Sequence, residues 1–230
     1  MSVLRIDKFL ADENVGSRKD VKSILKAGRV KVNGITVTSP ELKVDTDSDL
    51  VELDGKAITH EEFRYFMLNK PMGVVSATKD KLSSTVLDIL KNENTKDLFP
   101  VGRLDKDSEG LLLITNDGSL AHNLLSPGKH VAKKYLVKLD KSLNEEDKAK
   151  IEDCIDIGDD KPCLPAKVEI LSDESAIIEI HEGRFHQVKR MFAAAGYTVV
   201  SLKRLSMGKL ILDENLLPGE YKKISIGDII

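Results

Sequence analysis

Apolar residues recur at two different periods along this chain, and the first stretch is helical. Behind a Ser–Asp capping-box pattern at residues 17–20, apolar residues return every three or four positions. This pattern predicts a helix over residues 17–27 that ends at Gly28. Residues 4–12 place their apolar residues near one helical face as well, so we expect a second helix there.

The period then shortens to that of a strand. Residues 30–37 alternate around an Asn-Gly pair at 33–34, a strong signal for a hairpin with a primed turn. A second apolar run at residues 50–53 leads into Asp-Gly at 54–55, which predicts another turn. Residues 59–63 are polar and lack periodicity, so they are expected to form a linker.

The longer remainder of the chain mixes both periods. Strands are expected at the start of this part, at residues 111–115 and at residues 133–139, with helices between and after them. The expected helices cover residues 84–91, 118–126, 142–154, which opens on a Ser–Glu capping-box pattern at 142–145, and 186–195. The chain is therefore expected to hold a domain at residues 1–58, the linker at 59–63 and a larger domain at 64–230.

A charged loop stands directly before the apolar run at residues 111–115. It carries two glycines and three acids, Asp105, Asp107 and Glu109. A carboxylate in a loop that is held by a buried strand is well placed to do chemistry. Composition does not indicate which of the three acids would be reactive, and all three also fit the interpretation of solvent-exposed loop charges.

Composition narrows the class of protein. The N-terminus has charges where a signal peptide needs an apolar core, and no apolar run approaches the ~20 residues of a membrane span. We therefore expect a cytoplasmic protein with no membrane partner. The two cysteines and five histidines show no metal-ligand spacing, so no metal site is expected.

The net charge of −3 argues weakly against a nucleic-acid partner, but the charges are segregated. Residues 1–34 hold eight Lys and Arg against four acids, and residues 184–212 hold six Lys and Arg with no acid. Residues 41–62 are acidic instead, with eight acids and two lysines. Patches of one sign, rather than the total, are what an RNA backbone meets.

The N-terminal residues resemble the S4 RNA-binding domain. The likeness is carried by Arg-Ile-Asp-Lys-Phe-Leu at 5–10, Ser-Arg at 17–18 and Gly-Arg-Val-Lys-Val-Asn-Gly at 28–34. It implies that exposed residues of this small α/β domain contact structured RNA, whereas each of them alone is also readable as a solvated charge. The implied RNA-binding residues are Arg5, Lys8, Ser17, Arg18, Lys19 and Lys26.

The charged loop and two later motifs resemble the pseudouridine synthases. Gly-Arg-Leu-Asp at 102–105, followed by Gly-Leu-Leu, is similar to the signature in which the aspartate is the catalytic carboxylate, which here is Asp105. Lys-Tyr-Leu-Val at 134–137 matches the strand whose tyrosine faces the target base, which implies that role for Tyr135. Tyr135 is otherwise readable as a core aromatic.

The third motif is Gly-Arg-Phe-His-Gln-Val-Lys at 183–189. In the family its basic residue pairs with the catalytic aspartate, which implies this role for Lys189, although many members carry Arg there. Spacing alone makes Lys189 an ordinary exposed charge. The resemblance further implies substrate or RNA contacts for Arg103, Arg184, His186 and Gln187.

Pattern and resemblance together imply an α+β fold. An S4-like domain precedes a catalytic domain with a mixed, mainly antiparallel sheet flanked by helices. The implied activity is the conversion of one uridine of ribosomal RNA to pseudouridine by an aspartate, without a cofactor.

Three further stretches most resemble the branch that acts on uridine 516 of 16S ribosomal RNA: Arg-Tyr-Phe-Met-Leu-Asn-Lys-Pro at 64–71, His-Gln-Val-Lys-Arg-Met-Phe-Ala-Ala at 186–194 and Pro-Gly-Glu-Tyr at 218–221. The expected partner is ribosomal RNA in partly assembled small subunits, and the expected state is a monomer. A synthase for large-subunit 23S RNA and a non-catalytic S4-type assembly factor are the alternatives. The step that Asp105 performs is left open: attack on the base, attack on the sugar, or removal of a proton.

Overall fold

The computed structural model describes residues 3–230, which divide into two compact units. The first holds residues 3–62 together with Asn92–Lys96, and the second holds Phe63–Lys91 and Asp97–Ile230. Both units combine helices with sheets, so the α+β prediction is confirmed. None of the helices in residues 3–230 is long and apolar enough to cross a membrane.

The first unit packs two short helices with two small sheets. The elements of this unit are β1 (Val3–Arg5), α1 (Ile6–Asp12), α2 (Arg18–Lys26), β2 (Val30–Val32), β3 (Ile35–Val37), β4 (Lys43–Asp45), β5 (Val51–Leu53) and β6 (Lys56–Ile58). One sheet pairs β1 with β4, and the other has the order β3-β2-β5-β6.

Local sequence signals determine the ends of α2 and the hairpin after it. The Ser17 side chain accepts from the backbone N–H of Asp20, and the Asp20 carboxylate accepts from the N–H of Ser17, so the predicted capping box is confirmed. Asn33 and Gly34 both have positive φ, 51° and 81°, as a primed hairpin turn requires. The helix predicted over residues 4–12 begins only at Ile6, because Val3–Arg5 pairs with Lys43–Asp45 as a strand.

The second unit is built on one large sheet with helices on its faces. The central strands follow the order β11-β12-β10-β13-β9-β7-β15, and only β13 and β9 run parallel among the pairs of this path. The elements are β7 (Tyr65–Lys70), β8 (Phe99–Pro100), β9 (Glu109–Thr115), α3 (Gly118–Leu125), β10 (Lys133–Leu139), α4 (Glu145–Glu152), β11 (Lys167–Ser172), β12 (Ser175–Ile180), α5 (Gln187–Ala194), β13 (Val199–Met207), β14 (Leu210–Ile211) and β15 (Tyr221–Ile224).

Strand β9 lies between two hydrophobic cores. Leu112 and Ile114 enter the larger core, which includes the buried stripe of α5. Leu111 and Leu113 point to the opposite face and join the smaller core, which includes α3. Burial on both faces explains why this strand is a continuous apolar run rather than an alternating one.

One predicted helix is wrong. Residues 84–91 form a single 3₁₀ turn, Val86–Asp88, instead of an α-helix. The Asp88 carboxylate accepts from the backbone N–H of Thr85 at 2.7 Å and from its hydroxyl at 3.0 Å. The N–H of Val86 donates to the Val75 carbonyl, so the segment is tied to a neighbouring strand-like stretch.

The strand register places four residues side by side across the sheet. Lys70 is opposite Gly110, Gly110 is opposite Arg204, and Arg204 is opposite Tyr135. Gly110 has φ +100°, and a Cβ there would lie 2.3 Å from the Arg204 carbonyl oxygen. Only glycine permits this approach of β13 to β9, directly after the charged loop.

We expect Gly110→Ala to destabilise the protein by at least about 2 kcal/mol, because the new methyl group meets backbone atoms at a positive φ. Gly118→Ala is the matched control: nothing lies within 4 Å of its Cβ position at the start of α3, so its effect stays within about 1 kcal/mol. Urea unfolding of both variants measures the difference. Equal stability of Gly110→Ala and wild type would show that the close approach is not strained.

Candidate active site

A buried lysine holds the part of the charged loop that precedes β9, residues 103–108. Lys70, the last residue of β7, is fully buried. Its ammonium donates to three backbone carbonyls: Pro71 at 3.0 Å, Asp105 at 3.0 Å and Ser108 at 2.8 Å. All of its N–H donors are therefore used, and two of the three acceptors belong to the loop.

Burial lowers the pKa of Lys70 to about 8, and the carboxylates of Asp105, Asp107 and Glu109 oppose this shift. At neutral pH the side chain therefore keeps its charge inside the protein. Lys70 therefore binds the loop both through hydrogen bonds and through its positive charge.

Two further contacts fix the loop on its outer side. The Ser76 hydroxyl donates to the Leu104 carbonyl at 2.8 Å and accepts from the Leu104 N–H at 3.0 Å. The Gly73 N–H donates to the Lys106 carbonyl at 2.7 Å. The backbone on both sides of Asp105 is thus bonded to residues that follow β7.

The Asp105 carboxylate lies between two nitrogen groups of the third motif. The Nε2 atom of His186 is 3.3 Å from Oδ1, and the ammonium of Lys189 is 3.5 Å from Oδ2. The Asp105 side chain is 28% exposed, so solvent or a ligand reaches it. A carboxylate that is accessible and flanked by an ammonium and an imidazole can act as a nucleophile or as a base.

Lys189 contacts a second carboxylate more closely. Its ammonium is 2.5 Å from Oδ1 of Asp107, and this hydrogen bond is the largest cause that holds the pKa of Asp107 below its usual range. Lys189 thus bridges two loop acids, whereas its approach to Asp105 is the looser of the two.

Tyr135 is buried in the larger core and lies near the same end of the sheet. On β10 it shares a face with Val137, and both pack in the core that also holds Val188 and Met191 of α5. Because Tyr135 is two strands from Gly110 at the same level of the sheet, its backbone stands about 10 Å from the end of the Asp105 loop.

Arg184 and Gln187 are engaged inside the third motif. The Arg184 guanidinium donates to Glu182 at 3.0 Å and to the carbonyls of Lys161 and Pro162 at 2.5 and 2.6 Å. Gln187 accepts from the Arg184 N–H at 2.9 Å and donates to Glu182 at 2.8 Å. These bonds shape the turn from which His186 reaches Asp105.

The remaining predicted contacts are on exposed surface. Arg103 is exposed in the second unit, next to Leu104 of the charged loop. In the first unit Ser17 is also the N-cap of α2, and Arg5 is bonded to Asp7 at 2.9 Å. The other exposed basic side chains predicted to bind RNA are Lys8, Arg18, Lys19 and Lys26.

Sequence reasoning did not select two residues that the structure places at this site. Lys70 supports the loop, and its signal was a lysine at the end of the apolar run Tyr-Phe-Met-Leu-Asn-Lys, which reads as a strand that ends in a turn. Phe185 precedes His186 and has its ring stacked on the imidazole, with centroids 3.8 Å apart. Nothing in the spacing of the third motif marks this phenylalanine.

The chain matches two known protein families, one in each of its parts. Residues 4–51 match the S4 domain, and residues 64–194 match the family described as RNA pseudouridylate synthase. The protein is thus an isomerase that carries an S4 domain, as predicted. The chain belongs to the RNA pseudouridylate synthase family.

Relatives match the chain over nearly its whole length. An uncharacterized RNA pseudouridine synthase of Bacillus subtilis is 46% identical over 96% of this chain and 95% of its own. Ribosomal small subunit pseudouridine synthase A of Vibrio cholerae is 40% identical over 96% of both chains. A crystal structure of a pseudouridylate synthase is 38% identical, covers 98% of both chains and has a TM-score of 0.70.

The buried Lys70 gives the protein a specific response to pH. Its folded-state pKa of about 8 lies below the ordinary value of 10.5, so the unfolded chain binds more protons between these values. The contribution of Lys70 to the free energy of unfolding therefore rises as pH increases from about 8 to about 10. We expect the stability of wild type relative to Lys70→Met to rise by about 1–3 kcal/mol over this range.

Urea unfolding of both proteins at several pH values measures this difference. The Lys70→Met variant controls for every other group that titrates in the same range. A difference that stays constant, or that falls with pH, would contradict the buried ammonium.

Proposed function

We propose that the protein converts one uridine of ribosomal RNA to pseudouridine, at position 516 of small-subunit 16S RNA. The observation that carries the activity is the Asp105 carboxylate, paired with His186 and Lys189 on a loop fixed by Lys70. The choice of RNA is supported by the relatives named ribosomal small subunit pseudouridine synthase A, such as the one from Vibrio cholerae.

The chemistry requires an ionised carboxylate and no redox partner. The bond between C1′ of the ribose and N1 of uracil breaks, the base turns, and C1′ bonds to C5 instead. The proton on C5 is lost and N1 gains one, so the base is neither oxidised nor reduced. The reaction therefore needs no cofactor, and we assign the carboxylate role to Asp105.

The cations around Asp105 serve this role. An adjacent positive charge stabilises a carboxylate that the incoming base shields from water. We propose that Lys189 supplies this charge to Asp105 and that its bond to Asp107 keeps the ammonium in place when no RNA is bound. Attack on the base, attack on the sugar and removal of a proton all use the same ionised group.

The target uridine leaves its stack to reach Asp105, as enzymes that modify bases require. We propose that Tyr135 packs against the turned-out base. Its position in the same row of the sheet as Gly110 supports this role, and so does its burial against α5. Arg103, exposed at the start of the charged loop, is suited to a phosphate or to the space that the base leaves.

We assign RNA shape recognition to residues 1–58 and catalysis to residues 64–230, joined by residues 59–63. S4-type recognition of structured RNA by exposed basic residues fits a substrate within partly assembled small subunits. We further propose that the protein works as a monomer in the cytoplasm, where ribosomes are assembled.

The first test is release of tritium from 5-tritiated uridine in small-subunit and large-subunit ribosomal RNA, with partly assembled particles included. We expect release from the small-subunit RNA, and we expect Asp105→Asn to lower it by at least about 100-fold because the amide cannot act as nucleophile or base. Asp173→Asn is the matched control, with no expected change, since Asp173 is exposed in the turn between β11 and β12 and makes none of the contacts around Asp105 described above.

The outcomes separate the alternatives. Release from large-subunit RNA alone would keep the activity and change the substrate. No release from any RNA, with tight binding intact in wild type and Asp105→Asn, would favour a non-catalytic assembly factor.

RNA binding through exposed basic residues predicts a steep dependence on salt. We expect the double variant Arg18→Gln with Lys19→Gln to reduce the slope of log affinity against log salt by about 0.7–0.9 for each phosphate that is no longer neutralised. Arg29→Gln is the control, because Arg29 is already bonded to Asp54 at 3.0 Å. Equal slopes for the double variant and wild type would contradict a contact between α2 and the RNA.

A further inference from the structure

An exposed aromatic ring lies directly beside the Asp105 site. Phe185 is 72% exposed, although it stands in the turn that carries His186. Among the phenylalanine and tyrosine side chains of residues 3–230, only Phe63 is also exposed, at 45%. A single exposed apolar side chain is ordinary on a protein surface, so exposure alone indicates nothing. What distinguishes Phe185 is its contact.

Phe185 is stacked on a residue that touches the Asp105 carboxylate. The rings of Phe185 and His186 are 3.8 Å apart between centroids and 17° from parallel. The Nε2 atom of His186 in turn lies 3.3 Å from Oδ1 of Asp105. One face of the phenyl ring is therefore covered by the imidazole, while the rest of the side chain is open to solvent.

The turn beneath the ring is held at several points. Arg190 donates to the Phe185 carbonyl at 3.2 Å, and its guanidinium also donates to the Ile157 carbonyl at 2.6 Å. Gln187 closes the turn with the Arg184 N–H, and His186 adopts a left-handed backbone conformation with φ 47°. The backbone thus presents Phe185 in one position, and little conformational entropy remains to be lost at that residue on binding.

We propose that the open face of Phe185 stacks on an unpaired base of the RNA next to the target uridine. Proteins bind unstacked RNA bases on the faces of aromatic side chains, and such stacking tolerates any base. The base, Phe185 and His186 would form a continuous stack whose inner member touches Asp105. This stack holds the neighbouring nucleotide while the uridine is turned toward the carboxylate.

This inference rests on the proposed activity on RNA, and it concerns a positioning residue rather than a catalytic one. It predicts an effect on the binding of RNA more than on the chemical step. Phe185→Leu keeps an apolar side chain but removes the aromatic face, and Phe185→Tyr keeps the face. Phe63→Leu is the matched control at the other exposed phenylalanine of the same unit.

The experiment measures Kd, KM and kcat with the ribosomal RNA that the wild-type protein modifies. If the wild-type protein modifies neither subunit's RNA, the experiment measures Kd with the RNA that it binds more tightly. We expect Phe185→Leu to raise Kd and KM by at least about fivefold with kcat changed less than twofold, the lower end of the effect of removing one stacking partner. Phe185→Tyr and Phe63→Leu should bind like wild type. An equally weakened Phe185→Tyr, or an unchanged affinity in Phe185→Leu, would overturn the proposal.

A substrate with one abasic nucleotide directly 5′ or 3′ of the target locates the stacked base. At one of these positions the abasic change should weaken wild type but leave Phe185→Leu unaffected, the coupling that a shared contact produces. Additive effects at both positions would contradict the stack.

The two failures are distinguishable. Absence of tritium release by wild type rejects the proposed activity, whereas normal release with unchanged affinity in Phe185→Leu rejects only the stack.

Discussion

The loop that carries Asp105 depends on one buried ammonium. Lys70 places a positive charge where no water reaches it, and its three hydrogen bonds all go to backbone carbonyls rather than to a carboxylate. Burying such a group is costly, as its lowered pKa reflects. The cost is partly offset by the nearby acids of the loop. Because the hydrogen bonds of Lys70 all go to backbone carbonyls, the ammonium fixes the loop and leaves the Asp105 carboxylate available for chemistry.

Strand pairing in the large sheet connects this loop to the other residues of the site. Because Gly110 lets β13 approach β9 closely, the guanidinium of Arg204 reaches the Leu111 carbonyl at 2.7 Å. The same strand pairs Arg204 with Tyr135, so the loop, the buried arginine and the tyrosine are linked by backbone register rather than by flexible side chains. Helix α5 packs its apolar stripe against this sheet and thereby sets the position of Lys189. The site is assembled from elements distant in sequence but adjacent in the sheet.

Sequence patterns predicted elements with strong local signals. The capping box of α2, the Asn-Gly hairpin and strand β10 are determined by residues within a few positions of each other. The motifs also predict that Asp105, His186 and Lys189 belong to one site, and the side chains of His186 and Lys189 each approach the Asp105 carboxylate to within 3.5 Å. Patterns did not predict the structure of segments whose conformation depends on a tertiary partner. Val3–Arg5 is a strand rather than part of a helix because β4 lies beside it, and the predicted helix at residues 84–91 is absent where Val86 is bonded to Val75. Lys70 was not selected, since a lysine at the end of a strand reads as exposed unless the carbonyls that surround it are known.

The third motif illustrates why the type of a residue does not tell whether its side chain points into the protein or to the surface. Arg184 and Gln187 bond to Glu182, and the Arg184 N–H donates to the Gln187 side chain, while their contacts to the substrate stay a prediction. Phenylalanine suggests a core, yet Phe185 is exposed. The two observations have one cause. A turn that must hold His186 in a left-handed conformation beside Asp105 needs polar groups on its inner side. The chain therefore folds its polar side chains inward and leaves the aromatic ring on the surface, stacked on the histidine.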